Sequence, residues 1–224
     1  VAGAMAKQIL RTRGVSVQGY TSQIGHVELD KPYTGLDLSR VDANAVRCPD
    51  EKLAGEMEDL IRKVKAEGDS IGGVVSCVIR GIPAGVGEPV FDRFQARLGH
   101  YMMGINAAKG FEYGEGFRAA AMRGSEHNDV FTIADGLVKP LTNHAGGILG
   151  GITSGEDVYF RVAFKPVATI GREQRTVDLS GKAVLFSAHG RHDPCVVPRA
   201  VPVVEAMAAM LVLDMMLEAG RGNF

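Results

Sequence analysis

The chain has 224 residues, of which 46% are hydrophobic and 23% are charged, and its formal net charge is −1. This composition excludes a disordered segment and is sufficient for a substantial buried core. The charge balance provides no overall field for nucleic acid or a membrane surface, so any basic site has to be local.

The cysteines and the apolar segments indicate a soluble, cytoplasmic protein. Cys48, Cys77 and Cys195 form no CxxC pair, which suits a reducing compartment better than a disulfide framework. No signal peptide is visible. The most apolar segment carries Glu205 and Asp214 and is too interrupted for a membrane span.

The first part of the chain alternates between helical and strand patterns. The Ala-rich segment Ala2–Arg13 predicts a helix, and the β-branched patches of Val15–Leu29 predict strand. Residues 30–48 lack periodicity and predict a loop. After the N-cap Asp50, apolar residues at helical spacing predict an amphipathic helix that ends at Gly68.

The middle of the chain repeats this alternation with shorter elements. Periodicity predicts, in order, a strand at Ile71–Arg80, a helix over roughly residues 91–108, and short strands near residues 111–113 and 117–123. Residues 124–142 are polar and irregular, which predicts a loop.

The last part begins with five glycines in Asn143–Gly155. Asp157–Lys165 alternates between apolar and polar residues and predicts a strand, and a further strand is predicted near Gln174–Leu179. Residues 199–217 predict a final helix that is apolar on almost all sides and therefore buried. Because the strands come in adjacent groups, the fold class is predicted as α+β with antiparallel sheets packed on helices.

Two segments of the C-terminal half suggest contact with a phosphate or a flat ring. The glycine-rich Asn143–Gly155 matches neither GxGxxG nor a P-loop, yet its backbone N–H groups could face a ligand; the alternative is a tight structural turn. In KPVATI, Lys165 and the Thr169 hydroxyl could hold a phosphate; the alternative is a solvated lysine at a strand end.

The polar cluster HGRHDPC precedes the last helix and allows three interpretations. His189, His192 and Asp193, with Cys195, could bind a metal, although no partner pair at defined spacing occurs elsewhere. Arg191 could instead bind an anionic cofactor while Asp193 exchanges a proton. A structural ion pair between Arg191 and Asp193 is the third interpretation, and the position before a buried helix favours the cofactor.

Several blocks of the chain, in the same order, resemble the chorismate synthase family. They are RCPD at Arg47, GDSIGG at Gly68, MGINAAKGFEYGEGF at Met103, NHAGGILGGITSG at Asn143, FKPVATI at Phe164 and GRHDPCVVPRAVPVVEAMAAMLVLD at Gly190. The resemblance makes residues 1–224 a C-terminal portion of a single chorismate synthase domain, without roughly the first third of the family's chain.

The resemblance implies a fold, a reaction and a cofactor. The fold is a β-α-β sandwich, with helices packed between antiparallel sheets, in a homotetramer. The reaction is the 1,4-elimination of phosphate from 5-enolpyruvylshikimate 3-phosphate, which gives chorismate at the end of the shikimate pathway to the aromatic amino acids. The cofactor is reduced FMN, which can lend charge as phosphate leaves. The family is also associated with NADP, and whether the enzyme reduces its own flavin stays open.

The resemblance also assigns site residues. The FMN contacts fall on Asn106, Ala107, Gly150, Lys165, Pro166, Val167, Ala168, Thr169 and Arg191, and the proton-handling residue is Asp193. Val167 and Ala168 replace a Thr-Ser pair that relatives often carry, so backbone N–H groups would replace hydroxyl donors. His144 stands where relatives often carry Asn, and its role is left open. No metal is implied.

The family's early histidine-bearing motif and its substrate-binding arginines have no counterpart in this sequence. The chain alone is therefore expected to be inactive. The alternative to a flavin-binding portion is a non-catalytic fragment that folds and oligomerises without binding flavin tightly.

Overall fold

The computed structural model describes residues 1–134, 136–188, 190 and 192–220. In this part of the chain the α-helices are α1 Ala2–Thr12, α2 Glu51–Ala66, α3 Phe94–Met103, α4 Gly124–His127 and α5 Val197–Glu218. The strands are β1 Ser16–Ile24, β2 Val27–Glu28, β3 Gly73–Arg80, β4 Ala108–Tyr113, β5 Phe131–Ala134, β6 Leu137–Pro140, β7 Ile148–Leu149, β8 Ile152–Thr153, β9 Val158–Phe164, β10 Gln174–Val177 and β11 Ala183–Phe186. Short 3₁₀ helices are found at Tyr33–Gly35, Leu38–Ala43 and Gly116–Ala121.

Five of the strands form one sheet, in the order β2-β1-β3-β9-β4. The pairs β5-β6, β7-β8 and β10-β11 each form a separate antiparallel two-stranded sheet. Strand β9 confirms the predicted alternation, since Val158, Phe160, Val162 and Phe164 are all buried. The mixture of helices with grouped strands confirms the α+β class.

Several predicted boundaries were wrong. The helix predicted over residues 91–108 begins only at Phe94 and ends at Met103, which leaves Phe91 exposed in a loop. The strand predicted near 117–123 is the 3₁₀ helix Gly116–Ala121. The loop predicted at 124–142 contains α4 and the hairpin of β5 and β6.

The chain divides into two compact units. Unit 1 comprises Val1–Gly19, Ser76–Val162 and Pro202–Phe224, and unit 2 comprises Tyr20–Val75 and Ala163–Val201. The single domain expected over residues 1–224 stays a prediction.

In unit 1, α1 packs closely on the part of α5 that follows Pro202. A Cβ at Gly3 would overlap the side chain of Ala206, so only glycine permits this approach. The Glu205 carboxylate accepts hydrogen bonds from Lys7 Nζ and from the Gly19 N–H, each at 2.7 Å. These two bonds tie α5 to α1 and to the first half of β1.

We expect Glu205→Ala to destabilise the protein by about 2 kcal/mol, because it leaves the Lys7 ammonium and the Gly19 N–H without their acceptor in a partly buried position. Glu205→Gln should cost less, since an amide oxygen still accepts from Gly19. Urea unfolding measures both. The matched control is Glu51→Ala, whose ion pair with Arg40 is exposed and should be worth little. Equal losses for the Glu205→Ala and Glu51→Ala variants would contradict the prediction.

In unit 2, Asp50 begins α2 as the sequence predicted. Its side-chain oxygen accepts the Leu53 N–H at 3.2 Å, which satisfies one of the free donors of the first turn. Ala54 and Met57 are the fully buried residues of this helix, and most charged residues of the opposite face are exposed. The segment Gly68–Gly72, which follows the helix, leads directly into β3.

Helix α5 is long and apolar enough to cross a membrane by length and composition alone, but half of its most apolar window is buried inside the protein. The buried side chains include Val204, Leu211 and Met215. A core helix meets the same criterion, and the prediction of a buried final helix is thereby confirmed.

Candidate functional site

The glycine-rich segment Asn143–Gly155 in unit 1 is held by two polar side chains. The Asp129 carboxylate accepts hydrogen bonds from the His144 N–H at 2.7 Å, the Ala145 N–H at 2.9 Å and the Thr142 hydroxyl at 2.7 Å. Asn143 donates to the Asp157 carbonyl and accepts from the Gly147 N–H. The start of the segment therefore has a fixed conformation.

At two of the five glycines in this segment, the backbone of another part of the chain approaches closely. A Cβ at Gly146 would lie 2.5 Å from the Gly114 nitrogen, and one at Gly147 would lie 2.6 Å from the Asp157 carbonyl oxygen. One at Gly151 would lie 2.5 Å from Arg93 Cγ. At Gly146 and Gly147 the tight structural turn is the correct interpretation, whereas at Gly151 the obstacles are the Arg93 side chain and a φ of +96°.

Gly150 differs from these three glycines. Its φ is +62°, so the backbone is left-handed, yet a Cβ built there meets no described atom within 4 Å. The residue lines a cavity of about 540 Å³ in unit 1. Of the four glycines, Gly150 is thus the one whose surroundings leave room for a ligand.

The cavity beside Gly150 has apolar and aromatic walls. Its lining includes Phe111, Tyr113, Phe117, His127, His144, Ile148 and Leu149. His144 Nδ1 lies 3.0 Å from Glu115 Oε1, and the His127 ring is centred 6.1 Å from that of His144. His144 therefore has a defined partner at the rim of the cavity.

Local contacts lower the pKa of two carboxyl groups beside this loop, those of Asp129 and Glu115. For Asp129, burial alone would raise the pKa, but the hydrogen bonds from Ala145, Thr142 and His144 outweigh it and lower the pKa below the ordinary value. The pKa of Glu115 is lowered chiefly by its hydrogen bond with Arg118, against burial, with a further contribution from His144.

We expect Asp129→Asn to remove part of the acid sensitivity of folding. The pKa of the Asp129 carboxyl is lower in the folded protein than in the unfolded chain, so the unfolded chain takes up a proton first as the pH falls. The ionised carboxylate therefore stabilises the fold above the ordinary pKa of 3.8, and this stabilisation is lost at lower pH. The free energy of unfolding of the variant should be about 1 kcal/mol lower at pH 7 and should approach that of the unsubstituted protein near pH 3. Denaturant unfolding at several pH values measures the difference. Asp30→Asn, at an exposed residue, is the control, and a difference that does not shrink toward pH 3 would contradict the prediction.

Asn106 and Ala107 form a turn between α3 and β4 in unit 1. The Ala108 N–H donates to the Ile105 carbonyl at 3.1 Å, and Ala107 has a φ of +68°. A turn of this kind normally places glycine at that position, so alanine is held there under strain. Backbone strain of this sort clusters at binding sites, in keeping with the predicted role of this pair.

The segment Lys165–Thr169 follows β9 in unit 2 and is largely exposed. The Ser70 hydroxyl donates to the Val167 carbonyl at 2.6 Å. Within the described part of the chain, no carboxylate lies within ion-pair distance of the Lys165 ammonium. The segment therefore presents an exposed ammonium group, and the Ser70 hydrogen bond holds its backbone in place.

Asp193 also lies in unit 2, and its partner is one that the sequence did not suggest. Asp193 Oδ2 lies 2.7 Å from a guanidinium nitrogen of Arg199, in the first turn of α5. The Ile71 N–H donates to the Pro194 carbonyl at 2.8 Å, which fixes the adjoining turn. Arg191, predicted to contact FMN, and His189 lie outside the described residues.

The metal interpretation gains no support from the described residues, where no group of three or more His, Cys, Asp and Glu side chains is placed to hold an ion. Cys195 is buried, and burial raises the pKa of its thiol to about 11. A thiol with so high a pKa is neutral at physiological pH, so Cys195 packs rather than reacts.

The structure brings some predicted residues together within each unit and reveals others that sequence reasoning missed. In unit 1 the cavity adjoins Gly150, and in unit 2 the segment Gly68–Gly72 contacts both Lys165–Thr169 and the turn at Pro194. Ser70 and Arg199 were missed as partners. The GDSIGG block was the available signal for Ser70, whereas nothing in the sequence singled out Arg199 above Arg191.

Comparison with known proteins identifies relatives along the whole chain. The model of the chorismate synthase family matches residues 1–217. A relative named chorismate synthase from Parabacteroides distasonis is 55% identical, and the match covers 100% of this chain and 63% of the relative. Another of that name, from Phocaeicola vulgatus, is 58% identical, and the match covers 96% of this chain and 60% of the relative. A crystal structure of chorismate synthase matches with a TM-score of 0.83 at 29% identity, over 100% of this chain and 63% of that one. The chain thus spans less than two thirds of the length of these relatives, and the match confirms the predicted fold.

Proposed function

Because the chain belongs to the chorismate synthase family, we propose that it is the flavin-binding portion of an enzyme that eliminates phosphate from 5-enolpyruvylshikimate 3-phosphate to give chorismate. The observation that carries the proposal is the family match over residues 1–217, which includes every block named above. The substrate is a small molecule, and the enzyme is a lyase that is proposed to act in the cytoplasm as a homotetramer.

The described residues are compatible with FMN at the proposed positions. Lys165 provides an exposed ammonium and Thr169 a hydroxyl, and both suit a phosphate. Gly150 leaves open space where any other residue would place a side chain. The strained turn at Asn106 and Ala107 offers a fixed backbone surface for the cofactor.

The chain's own residues would divide the work between cofactor binding and proton handling. In unit 2, Lys165 and the backbone of Pro166–Thr169 would bind a phosphate group; in unit 1, Gly150 would let a ring approach the main chain. Reduced FMN, when bound, supplies electron density as the substrate's phosphate departs. Asp193 holds and transfers a proton, and Arg199 keeps its carboxylate oriented through the 2.7 Å ion pair.

A flavin titration of the chain tests this proposal. We expect saturable quenching of FMN fluorescence. A lack of saturable binding would instead support the alternative, a fragment that folds and oligomerises without binding flavin tightly. In an anaerobic assay with reduced FMN we expect no chorismate from this chain alone, and turnover would contradict the view that the family's remaining segment is required.

We expect Gly150→Ala to weaken FMN binding about tenfold, because the added methyl group enters the space assigned to the cofactor. The control is Gly181→Ala in unit 2, where φ is +81° and a Cβ also meets no described atom within 4 Å. Both substitutions should cost about 1 kcal/mol of stability through the left-handed backbone. Fluorescence titration separates them, and equal FMN affinities of the two variants would exclude Gly150 from the site.

A further inference from the structure

The segment Gly68–Gly72 in unit 2 contacts the chain between Phe164 and Arg172 at successive points. The Gly171 N–H donates to the Gly68 carbonyl at 2.9 Å, and Asp69 Oδ2 pairs with Arg172 at 3.0 Å. A Cβ at Gly72 would overlap the Phe164 carbonyl oxygen. Between these contacts, the Ser70 hydroxyl holds the Val167 carbonyl at 2.6 Å. The chain that carries Lys165–Thr169 is therefore supported along its length by one neighbouring segment.

The Ser70 hydrogen bond determines the orientation of the peptide between Val167 and Ala168. A trans peptide is planar, so its C=O and N–H bonds point in opposite directions. Because the Val167 carbonyl points toward Ser70, the Ala168 N–H points away from it. No hydrogen bond from this N–H to another described residue is found, and Ala168 is exposed. The donor is therefore available to an anion on the side opposite Ser70.

We propose that Ser70 is a positioning residue that orients the Ala168 N–H toward the phosphate group bound by Lys165. The inference rests on the proposed function for the identity of the ligand, and on the described contacts for the geometry. A backbone N–H oriented in advance binds an anion without the cost of reordering the loop. It also provides a donor at a position where Val167 and Ala168 have no hydroxyl groups.

The inference predicts a phosphate-specific effect. Ser70→Ala should weaken FMN binding about tenfold and leave the binding of riboflavin, which lacks the phosphate, unchanged. Ser70→Thr should restore FMN affinity, because threonine keeps the hydroxyl. The matched control is Ser180→Ala, which removes a hydroxyl bonded to Asp178 elsewhere in unit 2 and should change neither affinity.

Two measurements keep this inference separate from the flavin assignment. The first is the ratio of the FMN and riboflavin dissociation constants for each variant, which a general loss of structure would leave unchanged. The second is the shift of the Ala168 amide NMR resonance when inorganic phosphate is added. We expect this shift in the unsubstituted chain and in Ser70→Thr, and we expect it to be lost in Ser70→Ala. If FMN does not bind but the amide still responds in this pattern, the flavin assignment fails and the role of Ser70 stands. An equal loss of FMN and riboflavin affinity in Ser70→Ala, or no response of the amide in the unsubstituted chain, overturns the inference.

Discussion

Asp193→Asn is expected to lower turnover by about 10²–10⁴-fold, with FMN affinity nearly unchanged. We propose that the carboxylate exchanges a proton, and the amide that replaces it cannot accept one at neutral pH. The assay requires a chain of the relatives' length, which can be made by joining this chain to the part of the Parabacteroides distasonis relative that the match leaves out. Turnover is measured anaerobically with reduced FMN, and FMN affinity by fluorescence titration.

Two further variants make the Asp193 result specific. Asp193→Glu keeps the carboxylate but displaces it from Arg199, so part of the turnover should remain. Asp42→Asn, at a largely exposed aspartate of unit 2, should behave like the unsubstituted protein. If Asp193→Asn reduced flavin affinity as much as turnover, Asp193 would be a binding residue instead of a proton carrier.

The parts of the fold that depend on local chemistry could be predicted from the sequence. Asp50 caps α2 through a residue three positions away, and the alternation of β9 is visible in seven consecutive residues. The 3₁₀ helix at Gly116–Ala121 was predicted as a strand, although the alanines that follow Arg118 favour helical backbone. Its start is fixed by the Glu112 carboxylate, which accepts the Phe117 N–H. The Asp-Gly pair between two apolar runs is a sequence signal for the hairpin of β5 and β6. It was overlooked because residues 124–142 as a whole are polar and irregular.

The contacts that support the candidate site depend on residues far apart in the chain. Ser70 and Val167 are separated by 97 positions, and no periodicity connects them. The glycines of Asn143–Gly155 could not be sorted by sequence, because backbone approach at Gly146 and open space at Gly150 require the coordinates. For Asp193, the sequence identified the acidic residue but suggested Arg191 as its partner, whereas the described partner is Arg199.

Lys165→Ala is expected to weaken FMN binding by about 10–100-fold and to leave riboflavin binding almost unchanged. A charged hydrogen bond contributes about 1.5–3 kcal/mol, which corresponds to this range. Among the described residues no carboxylate competes for the Lys165 ammonium, so the charge is available for a phosphate. The loss should become smaller as salt concentration rises, because an exposed ionic contact is screened.

The control for the Lys165 substitution is Lys182→Ala, which removes an exposed lysine of the same unit and changes the net charge equally. Its FMN affinity should equal that of the unsubstituted chain, so a general electrostatic effect is separated from a local contact. Lys165→Arg tests the geometry of the contact, since it keeps the charge but replaces the compact ammonium with a planar group. If Lys165→Ala weakened FMN and riboflavin equally, the lysine would support the loop and not the phosphate. The phosphate site would then have to lie at other residues.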